Sequence, residues 1–213
     1  MPDYQGPLVI RKPETRRTVG RETGHPGCVL VTTVRPTAAE RSSALPGDDL
    51  VSPADVVMDR AFTVPAPPEV VWPWLVQLGK RRAGWYLPAA VERVVPPARR
   101  GLRRIDASLQ ALAVGDVVPD WGGADATFTV AGIEPASHLL YTSTRGRTHL
   151  TWCLRVEPRA PDGCRVHLRL RLAPVRHVRV AEVLGGAFDL ATVAGLAAGL
   201  RERVSRGTSP TGR

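Results

Sequence analysis

The chain has 213 residues, which suits one domain with tails, and 43% of them are hydrophobic, so it can bury a substantial core. Its formal net charge is +9, and nearly all of the cations are arginine, since Lys12 and Lys80 are the only lysines. This composition excludes a wholly disordered chain, whereas contact with nucleic acid or with an anionic lipid surface stays open.

Residues 1–44 are predicted to form a flexible basic tail, because proline, glycine, threonine and arginine dominate and no period is sustained. The one apolar run here, residues 28–34, is too short for a signal peptide or a membrane span. The sequence Leu45-Pro46-Gly47-Asp48-Asp49 is typical of a turn that leads into the domain. An aspartate pair in this setting favours a turn or cap over a metal site, and no metal is predicted.

The next segment predicts a strand followed by a helix. Residues 56–64 are rich in β-branched and aromatic side chains, and their inward-facing set is apolar except for Arg60. Pro67 and Pro68 then start a helix whose apolar face recurs at helical spacing, and Gly79 with the basic residues after it ends that helix. Trp85 and Tyr86 follow in a glycine-containing turn with no helical or strand face to fill, so we expect both at the mouth of a pocket.

The connecting segments predict little regular structure. Residues 89–95 allow one or two helical turns, and residues 105–113 allow another short helix. Between them, residues 99–104 carry four arginines, the densest charge cluster in the chain. A solvated connector is the favoured interpretation of this cluster, and contact with a phosphate or another anionic ligand is the alternative.

Strands are predicted at residues 117–118, 126–133, 138–144, 148–157 and 164–172. The last two alternate cleanly and predict an antiparallel hairpin with one apolar face and one solvated, basic face. His149 and His167 fall on the solvated face and are expected to be surface residues. Cys153 and Cys164 are too far out of register to pair, and three scattered cysteines favour a reduced, cytoplasmic location.

Residues 178–204 predict a long final helix, followed by a disordered tail over residues 205–213. Its middle, residues 183–200, is mostly apolar, so a membrane span is weighed against a buried amphipathic helix. Asp189, four glycines and the flanking charges favour the buried helix. Asp189 itself is expected to point either into a cavity or to solvent.

This order of elements predicts an α+β fold in which a curved antiparallel sheet wraps around one long C-terminal helix. Such a sheet leaves a gap beneath the helix, and large aromatic residues around a gap make a ligand pocket. The residues expected to line this cavity are Trp74, Trp85, Tyr86, Asp120, Trp121, Phe128, Tyr141, Trp152, Leu168, Phe188 and Asp189.

The segment Ala66-Pro-Pro-Glu-Val-Val-Trp72, together with Gly84-Trp-Tyr86 and Val114-Gly-Asp116, resembles the START-like superfamily, and more narrowly its SRPBCC polyketide cyclase/dehydrase and lipid-transport-like members. The resemblance covers residues 45–204. It implies a helix-grip fold with a deep apolar cavity that holds lipids, polyketides, hormones or similar molecules. A minority of members catalyse cyclisation, dehydration or hydroxylation, and no universal catalytic residue is carried over.

Three functions are therefore open. The leading one is binding of an apolar small molecule without a cofactor. The second is a cyclase or dehydratase in which Asp120, Tyr141 or Asp189 transfers protons, and whether the protein is an enzyme is left undecided. The third, contact with nucleic acid or an anionic surface through the arginine clusters, ranks last because the basic face lacks interleaved aromatic residues. Peripheral membrane contact and the oligomeric state are left open.

Overall fold

The structure is a computed structural model that describes residues 34–207. Its strands are β1 (Val56–Val64), β2 (Val117–Pro119), β3 (Thr127–Glu134), β4 (His138–Arg145), β5 (Thr148–Arg159) and β6 (Gly163–Ala173). Its helices are α1 (Ala38–Ser42), α2 (Pro68–Gln77), α3 (Ala89–Glu92), α4 (Val178–Val180) and α5 (Gly186–Gly207). A π-helical turn (Ala181–Gly185) joins α4 to α5, and 3-10 turns lie at Pro97–Arg99 and Ala107–Leu109.

The six strands form one antiparallel sheet in the order β1-β6-β5-β4-β3-β2. The predicted hairpin is confirmed, because Trp152 pairs with Leu170 and Leu154 pairs with Leu168 across β5 and β6. Side chains alternate between the two faces of a strand, so these four residues lie on the same face of the sheet. That face carries the main core and is covered by α2 and α5. The arrangement is the predicted α+β helix-grip fold.

Helix α2 begins and ends where its sequence predicts. Pro68 occupies the first turn, where a missing backbone N–H costs nothing, and Glu69 lies at the positive end of the helix dipole. The helix tolerates Pro73 in its interior and ends at Gln77, with Leu78 as its C-cap. Gly79 follows with φ +140°, a conformation that suits glycine, and forms an isolated bridge with Gly84. This bridge closes the loop that carries Trp85.

The outer face of the β5–β6 hairpin differs from its prediction. Thr151, Cys153, His167 and Arg169 were expected to be solvated, but all four are buried. His167 as a surface residue is wrong: its Nε2 lies 2.6 Å from Oδ1 of Asp59, which also accepts a hydrogen bond of 2.8 Å from Arg169. Alternation shows which residues share a face, but it does not show whether another segment covers that face.

The covering segment is the chain before β1, which corrects the predicted tail. Val34 is fully buried, and its carbonyl accepts a hydrogen bond from Ala61 N on β1. Glu40 in α1 pairs with Arg165 at 2.6 Å. Arg169 donates to the backbone carbonyls of Glu40, Arg41 and Ser43. Residues 34–44 therefore belong to the folded domain, while the rest of the predicted tail, residues 1–33, lies outside the described residues.

At the other end, α5 continues to Gly207, so residues 205–207 of the predicted C-terminal tail are helical, and residues 208–213 lie outside the described residues. By length and composition, the helix at Val178–Arg206 could cross a membrane, and a third of its most apolar window is buried. Core helices of soluble proteins pass the same test, so it is weak evidence for a span. The C-terminal half is a core helix, since Leu196, Ala197 and Leu200 are fully buried.

Candidate functional site

A cavity of about 520 Å³ lies between the apolar face of the sheet and the start of α5. Small-molecule sites typically occupy about 300–1,000 Å³, so the cavity is large enough for a ligand of several rings. Its walls come from the end of α2, the loop containing Trp85, five strands of the sheet and the first two turns of α5. The lining residues are Leu78, Gly79, Trp85, Val118, Pro119, Asp120, Trp121, Gly122, Phe128, Tyr141, Arg145, Leu150, Trp152, Leu170, Leu172, Phe188, Asp189, Thr192 and Val193.

Aromatic rings form one continuous wall of this cavity. Trp152 on β5 stacks on Tyr141, with ring centroids 5.8 Å apart, and on Trp85, with centroids 6.3 Å apart. Phe128 on β3 packs against Trp152 at 5.6 Å, and Trp121 meets Trp85 edge to face at 5.9 Å. Neighbouring strands supply three of the rings because residues 128, 141 and 152 share one face of the sheet. Such a wall offers flat, polarisable contact area to an apolar ring system.

The position of Trp85 in this wall is fixed through its backbone and through its indole nitrogen. Gly84 has φ +78°, and a Cβ atom there would lie 3.1 Å from Gly101 Cα, so the loop needs glycine at this position. The indole Nε1 of Trp85 donates a 3.0 Å hydrogen bond to the Thr192 carbonyl oxygen on α5. The loop after α2 and helix α5 therefore both position the Trp85 ring.

Two ion pairs mark polar positions in the otherwise apolar cavity. Asp120 pairs with Arg145, whose guanidinium also lies 5.3 Å from the centroid of Phe128. On α5, Asp189 Oδ2 lies 3.0 Å from Arg60 Nε, although their alignment does not make a hydrogen bond. Burial raises the pKa of Asp189, and the positive charge of Arg60 opposes that increase. Burial therefore favours the protonated form of Asp189.

Tyr141 adds a hydroxyl group to the cavity wall. Burial raises the pKa of Tyr141 to about 12, with a smaller opposing effect of the Arg82 charge. The hydroxyl is therefore protonated at neutral pH and can donate a hydrogen bond to an oxygen atom of a ligand. The cavity accordingly combines an apolar body with donors and carboxylates at a few positions.

Eight of the eleven residues predicted for the cavity line it, and three do not. Trp74, Tyr86 and Leu168 lie in the core instead. Tyr86 is fully buried, its hydroxyl donates to the Trp74 carbonyl oxygen at 2.8 Å, and Arg203 lies 4.6 Å from its ring centroid. Adjacent residues in a turn can point to opposite sides, and the sequence did not indicate which of Trp85 and Tyr86 would face the gap.

Sequence reasoning missed several lining residues. Leu150, Leu170 and Leu172 carried a usable signal, because they share the predicted apolar face of the hairpin. Arg145 carried none, since it lies at a strand end and its role depends on Asp120 from a distant loop. Arg60 was the one charged residue on an inward-facing set, and its partner Asp189 explains that exception.

The acidic and basic clusters noted in the sequence are mostly used within the fold. Asp48 accepts a hydrogen bond from Leu45 N and pairs with Arg169 at 2.7 Å, so it closes a turn. Among the described residues, no group of three or more His, Cys, Asp or Glu side chains could hold a metal ion. In the cluster at residues 99–104, Arg103 pairs with the buried Glu92 at 2.6 Å. The sheet arginines Arg165 and Arg169 are likewise paired with carboxylates.

Comparison with known proteins identifies a family. A search of curated proteins found no match. Similar solved structures include CalU16 from Micromonospora echinospora (16% identity over 71% of this chain and 82% of that one, TM-score 0.42) and a Thermobifida fusca protein (20%, 74% and 98%, TM-score 0.45). A norcoclaurine synthase mutant from Thalictrum is also similar (15%, 72% and 96%, TM-score 0.46). The family profile for polyketide cyclase / dehydrase and lipid transport matches residues 55–206. Because this match spans most of the chain, the protein belongs to the polyketide cyclase / dehydrase and lipid transport family.

Proposed function

We propose that the protein binds an apolar, ring-containing small molecule, such as a polyketide or a lipid with a ring system, in the cavity beneath α5. The observation that carries this proposal is the wall of five aromatic rings around a space of about 520 Å³. Membership of a family described by polyketide and lipid ligands supports the same class. Cys153 and Cys164 are free, which supports a cytoplasmic location as part of the proposal.

The polar groups favour a ligand that carries oxygen atoms. The Tyr141 hydroxyl and the Arg145 guanidinium are donors suited to carbonyl or hydroxyl groups, and they flank the ring of Phe128. A purely aliphatic ligand would leave the Tyr141 hydroxyl without a partner once water is displaced, at a cost of about 1–3 kcal/mol, whereas Arg145 would keep Asp120. An oxygenated aromatic molecule satisfies both the ring wall and the donors.

Two measurements test the binding function. Native mass spectrometry of freshly purified protein should show a co-purifying small molecule, and an apolar fluorescent probe should bind with one-to-one stoichiometry. Trp152→Ala removes the central ring of the wall and should weaken probe binding about tenfold. Trp72→Ala is the matched control, because Trp72 packs against the core outside the cavity. Equal affinity in both variants, per folded molecule, would exclude the cavity as the binding site.

A second candidate function, dehydration or cyclisation by proton transfer, is favoured by Asp189. Its buried Oδ2 has no hydrogen-bond partner within residues 34–207, and burial raises its pKa. In a dehydration, the Asp189 carboxylate would take a proton from the carbon next to a ligand carbonyl and return it to the leaving β-hydroxyl, so that a C=C bond forms as the C–O bond breaks and water is released. Protein incubated with an aromatic β-hydroxy ketone should then release one water molecule, and Asp189→Asn should stop this loss. A substrate that binds but stays intact would leave binding as the function.

A further inference from the structure

We propose that the protein docks on an anionic lipid bilayer through an apolar surface around the mouth of the cavity. This surface, called here the mouth patch, consists of Val180, Val183, Leu184 and Phe188 on the C-terminal helix together with Trp121. The inference concerns a surface rather than the cavity, so it goes beyond the proposed function and does not depend on which ligand the cavity holds.

The mouth patch is apolar, and no other part of residues 34–207 covers it. Phe188 is 72% exposed, Leu184 is 67% exposed, and the other three residues are each more than half exposed. Four of the five lie within nine consecutive positions of one helix. Exposed apolar residues that occur singly, such as Val94, need no explanation, but a cluster of this size marks an interaction surface. Along the same helix, residues after Thr192 turn their large apolar side chains into the core.

The patch lies at the entrance of the cavity. Phe188 and Trp121 line the cavity while each exposes more than half of its surface, so they stand at its opening. Phe188 directly precedes Asp189, which points inward to Arg60. At this position, adjacent residues of the helix therefore face the solvent and the cavity. A surface that the patch touches would therefore also touch the opening of the cavity.

The positive charge beside the mouth patch indicates that its partner is an anionic surface. Arg176 and Arg179 are exposed in the segment that leads into the patch, and Arg147 lines a second pocket together with Arg176. A hydrogen bond of 2.9 Å from Thr148 Oγ1 to the Pro174 carbonyl oxygen holds these two segments together. Within residues 34–207, no carboxylate forms an ion pair with any of these three arginines.

This lack of ion pairs contrasts with the sheet arginines, which are matched with carboxylates inside the fold. Glu182 is the one exposed carboxylate within residues 174–188, so the segment carries a positive excess. Basic residues beside exposed apolar side chains are typical of helices that lie in the interface of an anionic bilayer. The geometry points to docking rather than spanning, because the second half of the helix is packed against the sheet.

Co-sedimentation of the full-length protein with lipid vesicles tests the proposal. We expect binding to phosphatidylcholine vesicles that contain phosphatidylglycerol, little binding to phosphatidylcholine alone, and weaker binding as salt is raised. Leu184→Ser with Phe188→Ser should lower the partition coefficient about tenfold or more, since two large apolar side chains are withdrawn from lipid. Val94→Ser is the control for an exposed apolar residue away from the patch.

Charge-reversal variants distinguish the effect of the arginines beside the patch from the effect of the protein's net charge. Arg176→Glu with Arg179→Glu should lower the partition coefficient about tenfold and remove the preference for anionic vesicles. Arg99→Glu with Arg104→Glu makes the same change in net charge at exposed arginines elsewhere and should leave binding intact. Thermal melts show whether each variant is folded.

Three results would overturn the proposal. One is that the full-length protein does not bind anionic vesicles. Another is that the patch double variant co-sediments with anionic vesicles as well as Val94→Ser does. The third is a concentration-dependent dimer, detected by analytical ultracentrifugation, that Phe188→Ser dissociates, because the patch would then be an interface between two copies of the chain. The vesicle assay contains no cavity ligand, so its failure is distinguishable from failure of the proposed function.

Discussion

Arg60 on β1 and Asp189 on α5 face each other at 3.0 Å, and this pair joins the first strand to the last helix at the wall of the cavity. Arg60 has other partners, because it also donates to the carbonyl oxygens of Asp59 and Gly186. Asp189 has no such support. The two terminal nitrogens of Arg60 therefore keep their hydrogen bonds when the carboxylate is removed, and Nε, which makes none, loses only its charge partner. The two residues are thus unequal in their effects on stability.

We expect Asp189→Asn to leave the protein equally stable or up to about 1 kcal/mol more stable at pH 7. Burial raises the pKa of Asp189 above its ordinary 3.8, although Arg60 opposes the rise, so the folded state holds this proton more tightly. Stability is then lost as pH rises from about 3.8 through the raised pKa, and the asparagine variant lacks that loss. Urea unfolding across this range measures it, with Glu182→Gln as the control. A destabilised variant at pH 7 would contradict the argument.

Asp59 should behave in the opposite way. Burial alone would raise the pKa of Asp59, but the hydrogen bonds from His167 and Arg169 outweigh it and lower the pKa. Its contribution is therefore complete above about pH 3.8 and disappears as pH falls through the lowered value. Asp59→Asn should cost about 3 kcal/mol at neutral pH, because it removes the carboxylate that both His167 and Arg169 contact, and a hydrogen bond to a charged group contributes about 1.5 kcal/mol or more. Arg169 keeps its second carboxylate partner, Asp48. Asp162→Asn, in an exposed turn, should cost little, and a similar cost for both variants would refute the assignment.

The sequence predicted the sheet well because alternation records a local property, namely which side chains share a face. It predicted the outer face of β5 and β6 badly because covering is a non-local property. Nothing near His167 indicates that Asp59, over a hundred positions earlier, lies beneath it. The same limit applies to Asp189, whose direction depends on Arg60, and to Trp85 and Tyr86, whose turn follows no period.

Removing the segment before β1 tests how firmly it is docked. A deletion of residues 1–44 takes away Val34 and three backbone carbonyls that accept hydrogen bonds from the buried Arg169. A hydrogen bond from a charged group contributes about 1.5 kcal/mol or more, so the loss of three such bonds should lower the free energy of unfolding by at least about 3 kcal/mol. A deletion of residues 1–33 leaves all of these contacts in place. If the two deletions melt within about two degrees of each other, the segment contributes nothing.

Gly199 tests the close approach of α5 to the loop after Trp85. A Cβ atom at Gly199 would lie 2.7 Å from backbone atoms of Tyr86 and Leu87, which cannot move aside as a flexible side chain could. Gly199→Ala should therefore cost about 1–3 kcal/mol despite the better helix propensity of alanine. Gly186→Ala is the control in the same helix, because its Cβ would make only an ordinary contact with Arg60. Chemical denaturation of both variants measures the difference, and equal stability would show that the helix can shift.

Trp85 and Tyr86 are adjacent, but Trp85 lines the cavity and Tyr86 lies in the core, so substitutions at the two positions should have different effects. Tyr86 is fully buried beneath Arg203, so Tyr86→Ala should cost about 3–5 kcal/mol of stability and leave probe affinity per folded molecule unchanged. Trp85 is partly exposed and lines the cavity, so Trp85→Ala should cost less stability and weaken the binding of an apolar probe about tenfold. Trp85→Phe should restore most of the binding, since it loses the hydrogen bond to Thr192 but keeps a ring in the wall. Thermal melts and probe titrations on the three variants decide the assignment. Weaker probe binding in Tyr86→Ala, together with unchanged probe binding in Trp85→Ala, would reverse it.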